Sequence, residues 1–203
     1  KAMEKVILQG GGEHARVVLD ALLSMGVEVV GLFDPKYQGE LYGVPQRGEY
    51  DPIFEPDALA IVAIGNNKTR KEAVLRTKHH FTTCIHKSAI VSKFASVGEG
   101  SMVLHSTVIQ PGTKLGKHVI VNTRASVDHD CLIGDFVHIA PGATLCGTVQ
   151  VGEGTLIGAG ATVLPGIQIG KWCTIGAGAV VTRGVEDNTT VVGNPAMVIT
   201  TNK

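Results

Sequence analysis

Aromatic side chains are scarce in this sequence: five Phe, three Tyr and one Trp make up 4% of its 203 residues. A core of that composition cannot be built on large rings and has to be filled by aliphatic residues. Net charge is absent too, since 18 Lys and Arg balance 18 Asp and Glu, which removes the electrostatic case for nucleic acid or an anionic membrane surface. No apolar run approaches the roughly 20 residues of a membrane-crossing helix, and the start lacks the apolar stretch of a secretory signal. Lys1-Ala2-Met3 ahead of Glu4 reads as an expression remnant. Cysteine is limited to positions 84, 131, 146 and 173 with no C-x-x-C pair, so neither a disulfide framework nor a zinc site is indicated. The expectation is a reduced, soluble, cytoplasmic protein with free thiols.

What the sequence does have is a repeat. Every sixth residue from Ile85 to Val181 is a branched aliphatic, seventeen in succession without a slip of register. Four residues after each comes a second, generally smaller residue, such as Ala125, Cys131, Ala143, Thr155, Ala161, Cys173 and Ala179. Neither a 3.6-residue helix nor a long strand has that period. A six-residue unit reads as a parallel β-helix in which each repeat supplies one short strand and one corner. One hexapeptide buries nothing alone, so its aliphatic must stack on the equivalent residue of the next coil. Gly158, Gly160, Gly176 and Gly178, with Pro111, Pro141 and Pro165, fit the corners.

Ahead of the repeat the pattern changes. Residues 6–8 form a short apolar strand, Gly10-Gly11-Gly12 a turn, and residues 15–23 a helix stopped by Gly26. Further strands are expected at 28–33, ending at Asp34, and at 60–64, while 40–56 reads as a connecting loop with at most a short strand. A helix is expected over 68–78 with Asn67 as cap. Strands alternating with helical stretches make a small Rossmann-like βαβ unit with a parallel sheet, over residues 1–82, and the β-helix with its tail occupies 83–203. In such a sheet ligands sit at the strand C-termini. Gly10, Gly11 and Gly12 could cradle a phosphate there or simply make a tight turn. Asp34 could bond a ribose or base, or cap the turn it makes with Pro35.

Histidine is informative because a β-helix core has no need of it. His79, His80 and His86 are expected at the surface, and His105 and His118 as solvated side chains. His129 stands apart, between Asp128 and Asp130: an imidazole held by a carboxylate is a competent general base near neutral pH. A surface histidine solvated by two acids remains the alternative. With three hexapeptides to a coil, Gly147 stacks beside His129, its N–H open to a developing oxyanion. His138 falls half a coil away and can meet His129 only across a subunit interface. No H-x-x-x-x-H pair occurs, which removes the ligand spacing of hexapeptide zinc enzymes and leaves no metal expected.

Residues 10–18, 63–70, 122–147, 176–181 and 193–196 resemble the bacterial nucleotide-sugar N-acetyltransferases, related to the sialic-acid O-acetyltransferase type. The most specific stretch is Asp128-His129-Asp130-Cys131 followed by Ile133-Gly134-Asp135-Phe136-Val137-His138. Glu13 and Ala15 stand where that family usually has glycines, and Met197 where it usually has a basic residue. The resemblance implies a left-handed β-helix, a homotrimer with intersubunit active sites, acetyl-CoA as co-substrate between adjacent β-helices, and a nucleotide-sugar-binding N-terminal domain. It implies that Gly10, Gly11, Gly12, His14 and Asp34 meet the nucleotide and Asn122 the sugar. It further implies His129 as base, Asp130 as its orienting acid, His138 as a contact to acetyl-CoA and Gly147 as the amide facing the acetyl carbonyl. The activity expected is transfer of acetyl to the amino group of a nucleotide-linked amino sugar, such as a 4-amino-4,6-dideoxy-hexose. Sugar O-acetylation and a non-catalytic trimeric sugar-nucleotide-binding protein are the alternatives.

Overall fold

A computed structural model describes residues 4–201; Lys1-Ala2-Met3 lies outside that range. The chain opens with β1 (Lys5–Gln9), α1 (Glu13–Ser24), β2 (Glu28–Leu41), β3 (Val44–Gly48), β4 (Leu59–Val62) and α2 (Asn67–Arg76). The sheet order is β3-β2-β1-β4, with β1 parallel to both β2 and β4. Val18, Leu19 and Leu22 of α1 are buried against this sheet, as the 3.6-residue spacing of its apolar positions requires.

Two expectations need correcting. The stretch 40–56 is a loop only from Glu49 on: β2 continues to Leu41 and turns at Tyr42 and Gly43 into the antiparallel β3, a five-residue strand. Both turn residues have positive φ, 49° and 80°, the backbone of the two-residue hairpin turn that matches strand twist. The cap of α2 is Asn66, whose Oδ1 accepts from the Thr69 N–H at 3.0 Å; Asn67 is already helical and reaches elsewhere.

Seventeen two-residue strands, β5 to β21, follow at six-residue intervals from Cys84–Ile85 to Val180–Val181. From β5 to β18 each pairs in parallel with the strand eighteen residues on, as Lys114 does with Leu132 and Ile120 with His138. Three strands therefore make one coil, and the stacked coils form a β-solenoid with three sheet faces. The second residue of each strand points inward, and from Val103 to Val181 every one is buried. Ala125, Cys131, Ala143, Ala161, Cys173 and Ala179 fill the same core. Ile85 is 38% exposed because no coil precedes it. At the corners from Gly100 to Gly178 one residue takes a left-handed conformation: Gly112, Asp130 and Gly166 do so in one column, at φ 78°, 56° and 73°. A final pair, β22 (Thr189–Val192) and β23 (Met197–Thr201), closes the end.

The α/β region and the solenoid share one core. Met102, Leu104 and Ile120 on the solenoid face, with Cys84, pack in the same cluster as Leu19 and Leu22 of α1. The chain crosses between them without slack, Phe81 bridging in parallel to Ala60. Leu104→Ala should therefore destabilise the whole protein by about 2–5 kcal/mol, the range for a fully buried leucine. Urea unfolding measures it, and a change below about 1 kcal/mol would mean that the two regions are not one packed unit.

Candidate active site

His129 follows the strand Ser126–Val127 at a solenoid corner. Neighbouring side chains on a strand point to opposite faces, but the left-handed backbone at Asp130 turns its carboxylate back, and Oδ2 lies 2.9 Å from His129 Nδ1. Nδ1 is therefore the protonated nitrogen, leaving Nε2 free as acceptor. The Asp130 hydrogen bond raises the imidazole pKa above its ordinary value, outweighing the small effect of burial. Asp128 acts locally: its Oδ1 accepts from the His129 backbone N–H at 2.8 Å.

Gly147 sits against the other edge of the ring. A Cβ there would lie 2.5 Å from His129 Nε2, closer than a real Cβ approaches, so any larger residue would push the imidazole out of this position. The neighbouring Thr148 N–H is held by the His129 carbonyl at 2.9 Å. The Gly147 N–H has no acceptor among the described residues, so a donor remains open next to Nε2. A groove of about 210 Å³ runs alongside, lined by Gln110, Ser126, Asp128, Thr144 and Cys146 among others. A larger groove, about 680 Å³, lies on the face carrying Leu132, Gln150 and Gln168, and none of the residues proposed from the sequence lines it.

A second cluster forms where α1, the loop after β4 and the solenoid meet. His14 and His138 have ring centroids 6.0 Å apart. His138 Nδ1 is 3.3 Å from the Gly65 carbonyl and its Nε2 is 3.1 Å from Asn122 Nδ2. The Asn122 amide is oriented by its Oδ1, which accepts from the Thr123 N–H at 2.8 Å. Nδ2 is thus the donor to Nε2, and His138 is the neutral Nδ1–H tautomer. Burial lowers the pKa of His14 to about 3, with His138 and Arg70 adding to it, and that of His138 to about 4, with Arg70 adding to it. The buried His14 Nε2 has no partner among the described residues.

The glycine turn is only partly open to a ligand. Gly10 packs on β4, where a Cβ would meet the Ala63 carbonyl at 2.7 Å. The Gly11 N–H donates to Asp34 Oδ2 at 2.9 Å, and Asp34 Oδ1 accepts from the Lys36 N–H at 2.9 Å. Gly12, the α1 N-cap, carries no capping side chain, so the first-turn amides beyond it stay available. The structure thus brings His129, Asp130 and Gly147 together, and separately His14, Asn122 and His138 with the glycine turn beside His14.

Three other histidines depart from expectation. His118 is 3% exposed rather than solvated, stacked 5.2 Å from Phe136 with Phe81 at its edge. His79 is buried with its Nδ1 2.6 Å from the Tyr50 hydroxyl, and His86 is buried with its Nε2 3.1 Å from Ser24 Oγ. Each is covered by the α/β region or the turn leading from it, a contact distant in sequence. His105 is half-buried on the His86 ring at 3.8 Å, and its Nε2 is 3.4 Å from Asp20 Oδ2. The Arg183 guanidinium lies 3.1 Å from the Met197 sulfur.

A parallel solenoid with a histidine–carboxylate pair and an open amide at one corner, carrying an α/β region against one face, defines a hexapeptide acyltransferase architecture. Residues 5–76 match the PglD N-terminal domain family and residues 148–183 the bacterial transferase hexapeptide family. UDP-N-acetylbacillosamine N-acetyltransferase of Bacillus subtilis is 38% identical over 112 residues, 50% of this chain and 52% of that protein. The chain spans about half the length of the curated relatives it matches. The acetyltransferase domain of PglB from Neisseria gonorrhoeae, solved with acetyl coenzyme A, superposes with a TM-score of 0.88 at 38% identity over 97% of this chain and 99% of that one. PerB from Caulobacter crescentus, solved with CoA and GDP-perosamine, superposes at 0.93 with 35% identity over 98% and 99%. The chain belongs to this family of nucleotide-sugar N-acetyltransferases.

Proposed function

We propose that this protein transfers acetyl from acetyl-CoA to the amino group of a nucleotide-linked amino sugar. The observation that carries the proposal is the corner at His129, where a base with a free Nε2 faces an unoccupied amide donor across a glycine. The family relatives solved with acetyl coenzyme A, or with CoA and GDP-perosamine, support the choice of donor and acceptor.

In the proposed reaction the neutral amine attacks the thioester carbonyl while His129 Nε2 accepts its proton. The Gly147 N–H stabilises the oxyanion of the tetrahedral intermediate. Collapse breaks the C–S bond, and the imidazolium returns the proton to the departing thiolate, giving amide and free thiol. Asp130 holds the ring and stabilises the imidazolium. The chemistry needs no metal.

His129 is 56% exposed at its side chain, and the 210 Å³ groove beside it is smaller than the roughly 300–1,000 Å³ of an ordinary ligand site. We therefore place the site between subunits of a homotrimer, with His129, Asp130 and Gly147 from one chain facing His14, Asn122 and His138 from the next. In this reading His138 and Asn122 meet the sugar and acetyl end, and the first-turn amides of α1 the diphosphate. Residues 1–82 then serve as the nucleotide-sugar region and 83–203 as the acetyl-transfer region. Four free cysteines suit a reducing cytoplasm. Among the described residues no helix is long and apolar enough to cross a membrane.

The test is acetyl-CoA consumption with UDP-, GDP- and dTDP-linked 4-amino sugars against free sialic acid. Turnover is expected with one of the nucleotide amino sugars. Turnover with sialic acid alone would replace the reading by O-acetylation, and none at all, with sugar-nucleotide binding retained, by a non-catalytic role.

A further inference from the structure

Arg70 is wholly buried, and no carboxylate pairs with it among the described residues. A guanidinium has five N–H donors, and here all are used. Nε donates to the His118 carbonyl at 3.0 Å; Nη1 to the Ile64 and Gly65 carbonyls at 2.9 and 3.2 Å; Nη2 to Asn67 Oδ1 at 2.8 Å and the Phe136 carbonyl at 2.7 Å. Three acceptors belong to the α/β region and two to the solenoid. Burying an unpaired cation is costly, and burial holds this one well below its ordinary pKa, at about 9. Joining two regions needs no such ion, since the apolar cluster around Leu104 already does so.

The acceptors indicate what the charge is for. Gly65 carries the carbonyl that takes the His138 Nδ1–H, and Phe136 lies two residues before His138 on the same coil. The same guanidinium thus fixes both the partner of the His138 ring and the backbone that bears it. Gly65 also lies against His14, where a Cβ would approach the His14 Cβ to 3.6 Å. Asn67, held by Nη2, extends the clamp with its own Nδ2 on the Gly154 carbonyl at 2.9 Å.

We propose that Arg70 is a positioning residue of the acetyl-transfer site: its guanidinium bolts the Gly65 loop to the solenoid and so holds His138 in one orientation and one tautomer beside His14 and Asn122. The proposal rests on the reading of these three residues as one wall of the intersubunit site. Its fixed positive charge also disfavours protonation of both histidines, so they meet the substrate as neutral groups while His129 alone works as a base.

The test uses Arg70→Lys in the full chain. Lysine keeps a nitrogen donor, but its donors radiate from one atom and cannot span acceptors on both regions. The expected result is a fall of about 10²-fold in kcat/KM for the nucleotide amino sugar, the cost of a misplacement on the order of 1 Å. The pH limb set by His129 should stay unchanged. Nitrogen-15 spectra of the wild type should show His138 as the Nδ1–H tautomer between about pH 6 and 8, the range in which a free imidazole titrates. In Arg70→Lys the Nε2–H tautomer should appear beside it.

A folded Arg70→Lys enzyme with a lower melting temperature but wild-type kcat/KM would overturn the proposal, leaving a purely structural ion. So would a wild-type His138 in the Nε2–H form, which also decides the matter if the variant fails to fold. Absence of turnover in the wild type would count against the acetyltransferase reading instead, and the tautomer would still judge the clamp.

Discussion

Replacing His129 by alanine should lower kcat by about 10²–10⁴-fold, the usual contribution of a positioned general base, while leaving coenzyme affinity intact. The separation is expected because His129 is mostly solvent-exposed and packs on a glycine, so removing it leaves no cavity in the solenoid core. The pH profile gives a second reading. The wild-type folded pKa is raised by the Asp130 hydrogen bond, so the acidic limb of kcat/KM should lie above the ordinary histidine value. Asp130→Asn removes the charge that stabilises the imidazolium, and the limb should move down in pH as the maximal rate falls. Steady-state kinetics of both variants decides the point. An alanine variant turning over within a few fold of wild type would remove His129 as base, whatever the other residues do.

The repeat made most of this corner legible. In a solenoid the local period is also the fold, so counting eighteen residues from His129 reaches its spatial neighbour Gly147 without any knowledge of long-range contacts. Cys131 and Cys173 were readable as inward thiols for the same reason. The α/β region gave up less. Strand β2 carries Pro35 and Gly39 and a run of exposed residues from Lys36 to Glu40, which mimics a loop because an edge segment needs no alternating apolar face. The one available signal was Tyr42-Gly43 between the buried Leu41 and Val44.

The contacts between regions were not legible at all. Residues 68–76 are rich in charge, and nothing in that pattern distinguishes Arg70, the one that is wholly buried, from its solvated neighbours. His79, His86 and His118 each owe their burial to partners from elsewhere in the chain: Tyr50, Ser24 and the Phe81–Phe136 pair. His138 was placed by counting as far from His129, but its company of His14, Asn122 and Gly65 depends on how the α/β region docks.

Those docking histidines should make the fold acid-labile. Folded pKa values of about 3 for His14 and about 4 for His118 and His138, set first by burial in each case, lie below the unfolded value near 6.5. A histidine whose pKa is depressed on folding takes up its proton only in the unfolded chain over the intervening range. Stability should therefore be flat above about pH 6.5 and decline as pH falls from there toward 4 and then 3. Near pH 5 the unfolded state binds close to three more protons through these groups, for a slope of about 3–4 kcal/mol per pH unit. His129 acts in the opposite sense: its raised pKa adds stability at low pH that fades as pH rises through the folded value. It is solvent-exposed, so screening keeps its share small. Urea unfolding at fixed protein concentration, repeated across this range, reads the slope directly. His118→Leu, an apolar replacement in the pocket between Phe81 and Phe136, should remove about one proton from it. A midpoint unchanged between about pH 7 and 5 would show that these imidazoles are not held neutral by the fold.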